Sequence, residues 1–158
     1  MLLAAFRAVR ERADDEFRLV HYSVQSNHVH LLCEPRGRLE LTRAMQSLAT
    51  RIAKRLNALW RRAGTLFADR YHDHILRTPR EVRHALAYVL ENARRHGVVL
   101  PFDAPDPFSS APWFDGSRRR IRELKSPPNH LSRAKTWLLS IGWSRHGPID
   151  STTATGET

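Results

Sequence analysis

The chain has 158 residues, enough for one domain with its own apolar core. Twenty-six Lys and Arg face sixteen Asp and Glu, a net charge of +10, and Lys54, Lys125 and Lys135 are the only lysines. The single cysteine, Cys33, excludes an internal disulfide and a cysteine-based zinc site, and no apolar run reaches the roughly 20 residues of a membrane span.

Arginine grips phosphate through two N–H donors at once. An arginine-dominated surplus therefore points to nucleic acid before a membrane or an acidic protein. A genome rich in G and C would also favour Arg over Lys, but it would not account for the net charge. "MLLAAF" is too short for a secretion signal, and the expected location is cytoplasmic.

Leu2, Leu3, Phe6 and Val9 recur at helical spacing, which predicts a short amphipathic helix over Leu2 to about Ala13. "EFRLVHYSV" then alternates. Phe17, Leu19, His21 and Ser23 would face one way, and Arg18, Val20, Tyr22 and Val24 the other. "QSN" at 25–27 is turn chemistry and "HVHLLCE" resumes a strand, so residues 17–34 read as a hairpin. Cys33 falls in that strand as a small core residue.

Leu41, Met45, Leu48, Ile52, Leu56 and Leu59 mark one face of a long helix from Leu39 to about Trp60, with Gly64 expected to stop it. Its far side carries Arg43, Arg51, Lys54, Arg55, Arg61 and Arg62. That is either a solvated face or a seat for a phosphate backbone. "LFADRYHDHIL", residues 66–76, reads as another strand. Thr78, Pro79 and Glu81 form a capping-box start for a helix ending at Gly97. Pro101, Pro105, Pro107 and Pro112 then make the chain loop-like. A last helix is expected from Ser132 to Ile141, and the tail from 148 to 158 is expected to be disordered.

Two features carry chemistry. Strand alternation sends His28 and His30 together to one side while Val29 and Leu31 are expected to go to the core. At 100° per residue, Glu81, His84, Glu91, Asn92 and Arg95 fall within roughly 60° of Tyr88, off the apolar arc of Val82, Ala85, Leu86, Val89, Leu90 and Ala93. Each has an ordinary reading: imidazoles on a wet strand face, an amphipathic tyrosine at a core margin, an asparagine near a helix end. Together they admit a sharper one. Two imidazoles and one amide oxygen can hold a hard divalent ion, with a phenol one turn away as nucleophile toward a phosphate. His72 and His74 form a second pair, with Tyr71 as a rival nucleophile, but neither has the helical partner that Tyr88 finds in Asn92.

"SNHVHLL" resembles the signature of the His-hydrophobic-His (HUH) endonuclease superfamily. "YVLENARRHGV" resembles the tyrosine helix of its one-tyrosine transposases, especially the REP-associated tyrosine transposases. "MQSLATRIAKRLN" and "GTLFADRYHDHILRTPREV" match the layout between them, so the resemblance covers about residues 1–100. It implies an α+β, ferredoxin-like antiparallel sheet with helices on one face. It implies DNA transposition by a metal-dependent enzyme that cuts and transfers single-stranded or hairpin DNA. Tyr88 would be the nucleophile, His28, His30 and Asn92 the ligands of Mg²⁺ or Mn²⁺, and a homodimer the working form. Arg51, Arg55, Arg70, Arg77 and Arg95 are candidate DNA contacts.

Two departures stand out. Gln25 and Ser26 replace a Met-Pro that relatives often carry. The family's first strand precedes the first helix, whereas this chain starts at the helix. The strand is therefore expected to be missing or encoded upstream: its place is taken by residues 66–76 or by a partner chain, or the chain is a truncated gene product. The expected organisation is a catalytic domain over 1–100, a Pro-rich loop and helical extension over 101–147, and the tail. The alternatives to the enzyme are a decayed or domesticated relative that holds hairpin DNA without cutting, and a basic structural protein with no active site.

Overall fold

The computed structural model describes residues 1–13, 15–101, 104–114, 116, 128 and 130–149. The fold is α+β, compatible with the ferredoxin-like type. It opens with helix α1 (Leu2–Ala13), strands β1 (Phe17–Val24) and β2 (Val29–Pro35), and the long helix α2 (Arg38–Leu59). Then come α3 (Pro79–Leu90), a single turn α4 (Asn92–Arg95), and a short α5 (Trp137–Ser140) flanked by two 3-10 turns, Ala111–Trp113 and Gly142–His146. Among the described residues the sheet is the β1–β2 pair alone.

The chain divides into two compact units. The first comprises residues 1–19, 33–75 and 129–132. In it α1 packs on α2. Ala5, Phe6 and Val9, one face of α1, are buried, as are Ala44, Leu48 and Ile52 of α2. Leu131 is buried in the same unit, and the Ser132 N–H donates to the Leu19 carbonyl at 2.8 Å. The second unit comprises residues 20–32, 76–128 and 133–158. Its core is Val20, Leu32, Val82, Leu86, Val89, Leu90, Phe114, Leu139, Trp143 and Ile149.

α2 does not wait for Gly64 to end. The Arg61 N–H donates to the Ala58 carbonyl at 3.4 Å and the Arg62 N–H to the Asn57 carbonyl at 2.9 Å. This is the paired closure that usually needs a glycine after the helix. Here Arg61 takes the left-handed conformation, at φ 50°.

Residues 66–76 form no strand. Most of their side chains are exposed, and a strand without a buried face or a neighbour gains little. Tyr71 is anchored instead by its hydroxyl, 3.2 Å from Thr42 Oγ1. The neighbour that β1 does acquire comes from a stretch that reads as loop. The Val24 N–H donates to the Phe108 carbonyl and the Ser110 N–H to the Tyr22 carbonyl, both at 2.9 Å, around an antiparallel bridge between Ser23 and Ser109. Covered this way, β1 buries Leu19, Val20, Tyr22 and Ser23 and loses the clean two-face alternation.

The last helix is one turn, not the span from Ser132 to Ile141. Thr136 caps it by accepting from the Leu139 N–H. Of the expected tail, residues 150–158 lie outside the described residues, and Ile149 is buried.

Candidate functional site

α3 starts where its sequence dictates. The Glu81 N–H donates to Thr78 Oγ1 at 3.2 Å, Glu81 Oε2 accepts from the Thr78 N–H at 3.0 Å, and Pro79 opens the first turn. A fixed start and a buried stripe of Val82, Leu86, Val89 and Leu90 fix the rotation of the helix. Tyr88 is thereby left 39% exposed.

β2 presents His30 to that tyrosine, and His28 sits just before the strand. The His28 and His30 rings stand edge to face with centroids 4.7 Å apart. The His30 ring meets the Tyr88 ring at 4.9 Å, again near-perpendicular. His28, His30 and Tyr88 all belong to the second unit. Two further residues join them. The Arg95 guanidinium carbon lies 5.6 Å from the centre of the Tyr88 ring, and the His96 ring lies 5.5 Å from that of His28.

The protonation of the cluster follows from its surroundings. His28 Nδ1 is 2.7 Å from Asn27 Oδ1. An amide oxygen can only accept, so the ring donates at Nδ1, and in its neutral form it leaves the Nε2 lone pair free. Burial lowers the pKa of His30, and the neighbouring His28 and His96 lower it further. Its ring is therefore held neutral, as a metal ligand must be. His30 Nε2 is buried and has no hydrogen-bond partner.

Asn92 departs from the expected polar stripe. The helix breaks at Glu91, which adopts φ −115° and ψ 12°, and α4 begins at Asn92 itself. Glu91 and Asn92 are both buried; Asn92 has 0% exposure, and both atoms of its amide lack a partner. An unpaired amide away from water costs a few kcal/mol, about 1–3 by mutational scales. Among the described residues no three His, Cys, Asp or Glu side chains are placed to share a metal ion.

The candidate DNA contacts divide between the units. Arg51, Arg55 and Arg70 belong to the first, Arg77 and Arg95 to the second. Arg55, Arg70, Arg77 and Arg95 are exposed, whereas Arg51 is half-buried, with its Nε donating to Ser47 Oγ. Of the five, Arg95 is the one at the tyrosine. The sequence reading missed His96 and the role of Asn27. His96 lies past the helix break, yet it is eight positions after Tyr88, about 80° away by helical rotation, which is the signal that would have found it.

The C-terminal residues buttress this helix. Trp143 is buried against Phe114, with ring centres 5.3 Å apart, in the core that holds the inner face of α3. Arg83 donates to the carbonyls of Gly147 and Pro148.

The sequence model of one family, described as "Transposase IS200 like", matches residues 5–92, more than half of the chain. No curated protein and no solved structure matches the chain.

Proposed function

We propose a DNA-cutting and strand-joining role for this chain, which belongs to the IS200-like transposase family. The observation that carries it is the meeting of the Tyr88 phenol with the His30 imidazole at 4.9 Å, beside a second imidazole. Tyr88 attacks the scissile phosphate of single-stranded DNA. A bond forms from phosphorus to the phenolic oxygen as the bond from phosphorus to the 3′ oxygen breaks, and the phenol's proton ends on the departing 3′-hydroxyl. The products are a 5′-phosphotyrosine and a free 3′-hydroxyl. The phosphodiester is conserved, so attack by another 3′-hydroxyl rejoins strands without ATP.

His28, His30 and Asn92 would hold Mg²⁺ or Mn²⁺. His30 Nε2 and the Asn92 amide oxygen are buried atoms with unused lone pairs, and two imidazoles with one neutral oxygen leave open positions for a phosphate. Such an ion supplies Lewis-acid stabilisation of the phosphate charge. Asn27 fixes the His28 ring from behind, as an outer-shell partner does. Arg95, its guanidinium carbon 5.6 Å from the centre of the Tyr88 ring, sets a cation beside the attacking group. The substrate is a single strand beside a hairpin, the working form a homodimer, and the location the cytoplasm. Among the described residues no helix is long and apolar enough to cross a membrane.

The complete burial of Asn92 favours a second reading, in which the chain holds hairpin DNA without cutting it. End-labelled single-stranded DNA carrying a hairpin, incubated with the protein and Mn²⁺, separates the two. The enzyme leaves a denaturation-resistant protein–DNA adduct that Tyr88→Phe abolishes. Binding without any adduct in the parent chain decides for the second reading.

A further inference from the structure

We propose that the end of α2 and the turn that follows it form a stacking platform for unpaired DNA bases. Trp60 and Phe67 are its aromatic faces, and Lys54, Arg55, Arg61 and Arg62 its phosphate contacts. The inference keeps DNA as the partner but does not depend on the phosphotyrosine chemistry. Every residue in it belongs to the first unit.

The apolar stripe of α2 is buried at Ala44, Leu48 and Ile52 and then runs out of core. Leu59 is 59% exposed, Trp60 54% and Phe67 40%. One exposed apolar side chain needs no explanation. A Trp, a Leu and a Phe within nine positions of the chain, each exposed and set among cations, do. Between Glu40 and Asp69 the chain holds no acidic residue, while Arg43, Arg51, Lys54, Arg55, Arg61 and Arg62 all fall there. Cations also suit a helix C-terminus. That accounts for part of the charge but not for an indole in water.

The turn is held in one shape. Besides the two backbone bonds that close α2, the Asn57 amide donates to the Gly64 carbonyl at 2.8 Å and Arg62 Nη2 to the Thr65 carbonyl at 3.1 Å. Arg61 occupies the left-handed position where glycine is less strained. The sequence places a cation there, next to the exposed indole, in spite of the strain. Strain of this kind is retained where a side chain is used.

Charge complementarity selects the occupant. A second copy docked on this face would set Arg61 and Arg62 against their own equivalents. A single DNA strand offers phosphates to the cations and bases to the rings, the pairing that single-strand binders use.

The test uses Tyr88→Phe as the parent, so that cleavage plays no part, with fluorescein-labelled oligo-dT followed by anisotropy. Trp60→Ala is expected to weaken binding by about 5- to 100-fold at fixed salt and leave the salt dependence unchanged. Trp60→Phe, which keeps a stacking face, is expected to retain most of the affinity. The double change Arg61→Ala and Arg62→Ala is expected to reduce the slope of log affinity against log salt by about 1.4, or 0.7 for each lost phosphate contact. Unchanged affinity in Trp60→Ala overturns the platform, and so does a Trp60→Ala protein that differs only in its sedimentation. Failure of the nuclease reading would show separately, as a Tyr88-bearing protein that binds oligo-dT and forms no adduct.

Discussion

At the scale of single residues, the clearest electrostatic commitment outside the tyrosine cluster is His21. Its Nδ1 lies 3.1 Å from Ser110 Oγ. That oxygen also accepts the Tyr22 N–H at 3.2 Å and donates its own proton to the Tyr22 carbonyl at 3.4 Å. Burial holds the pKa of His21 down at about 4. The sign follows. Below about pH 6.5 the unfolded chain takes up a proton that the folded chain refuses until about pH 4. Stability is therefore full above about pH 6.5 and falls by up to about 1.4 kcal/mol per pH unit through that window. Urea midpoints at neutral and mildly acid pH should show the fall, and His21→Leu should flatten it. His130 and His30, also lowered by burial, leave a smaller slope of the same sign. An unchanged profile in His21→Leu would show that the ring is solvated. The same local logic explains what the sequence revealed of the site. The meeting of His28 with His30 was legible from their spacing, but His28 lies just before β2, and the face that β2 buries is that of His30, at Leu32 and Glu34, rather than that of Val29 and Leu31. Asn92 was not legible, because its burial depends on a break at Glu91 that no residue type there announces.

Among the elements, α1, the β1–β2 hairpin and α2 followed from apolar spacing and the start of α3 from chemical punctuation, whereas the strand at 66–76 and the full last helix did not form. α3 starts at Thr78 because a threonine, a proline and a glutamate each satisfy or remove an orphan donor. Residues 66–76 have no buried face, and they remain irregular. The end of α2 near Trp60 was read correctly, but the stop was assigned to Gly64 because glycine is the usual signal, and Arg61 stands in its position. This yields a prediction at the same scale. Arg61→Gly removes a side chain from the left-handed region and should stabilise the chain by about 1 kcal/mol in urea unfolding. It should also remove one phosphate contact, so that DNA affinity and stability move in opposite directions. A variant less stable than its parent would mean that the Arg61 side chain holds the turn together.

Across the whole molecule, charge and packing divide the work. The C-terminal residues, whose role the sequence left open, pack Trp143, Leu139 and Ile149 against α3. Trp137 stays half-exposed under the Arg145 guanidinium. The tyrosine helix is thus held from its inner face by chain that lies outside the matched family region. The net charge of +10 acts in the other direction. Like charges repel in the compact state, and salt screens that repulsion. DNA binding by the same cations releases counterions, so salt opposes it. The expected outcome is a pair of opposite trends between low and moderate salt. The melting temperature of the free protein should rise, and its affinity for single-stranded DNA should fall. If three or more phosphates are contacted, log affinity should decline against log salt with a slope of at least about 2 in magnitude. Both are read from one salt series, by differential scanning fluorimetry and anisotropy. Affinity that ignores salt would mean that the arginines do not face the backbone, and the surplus of charge would then need a partner other than DNA.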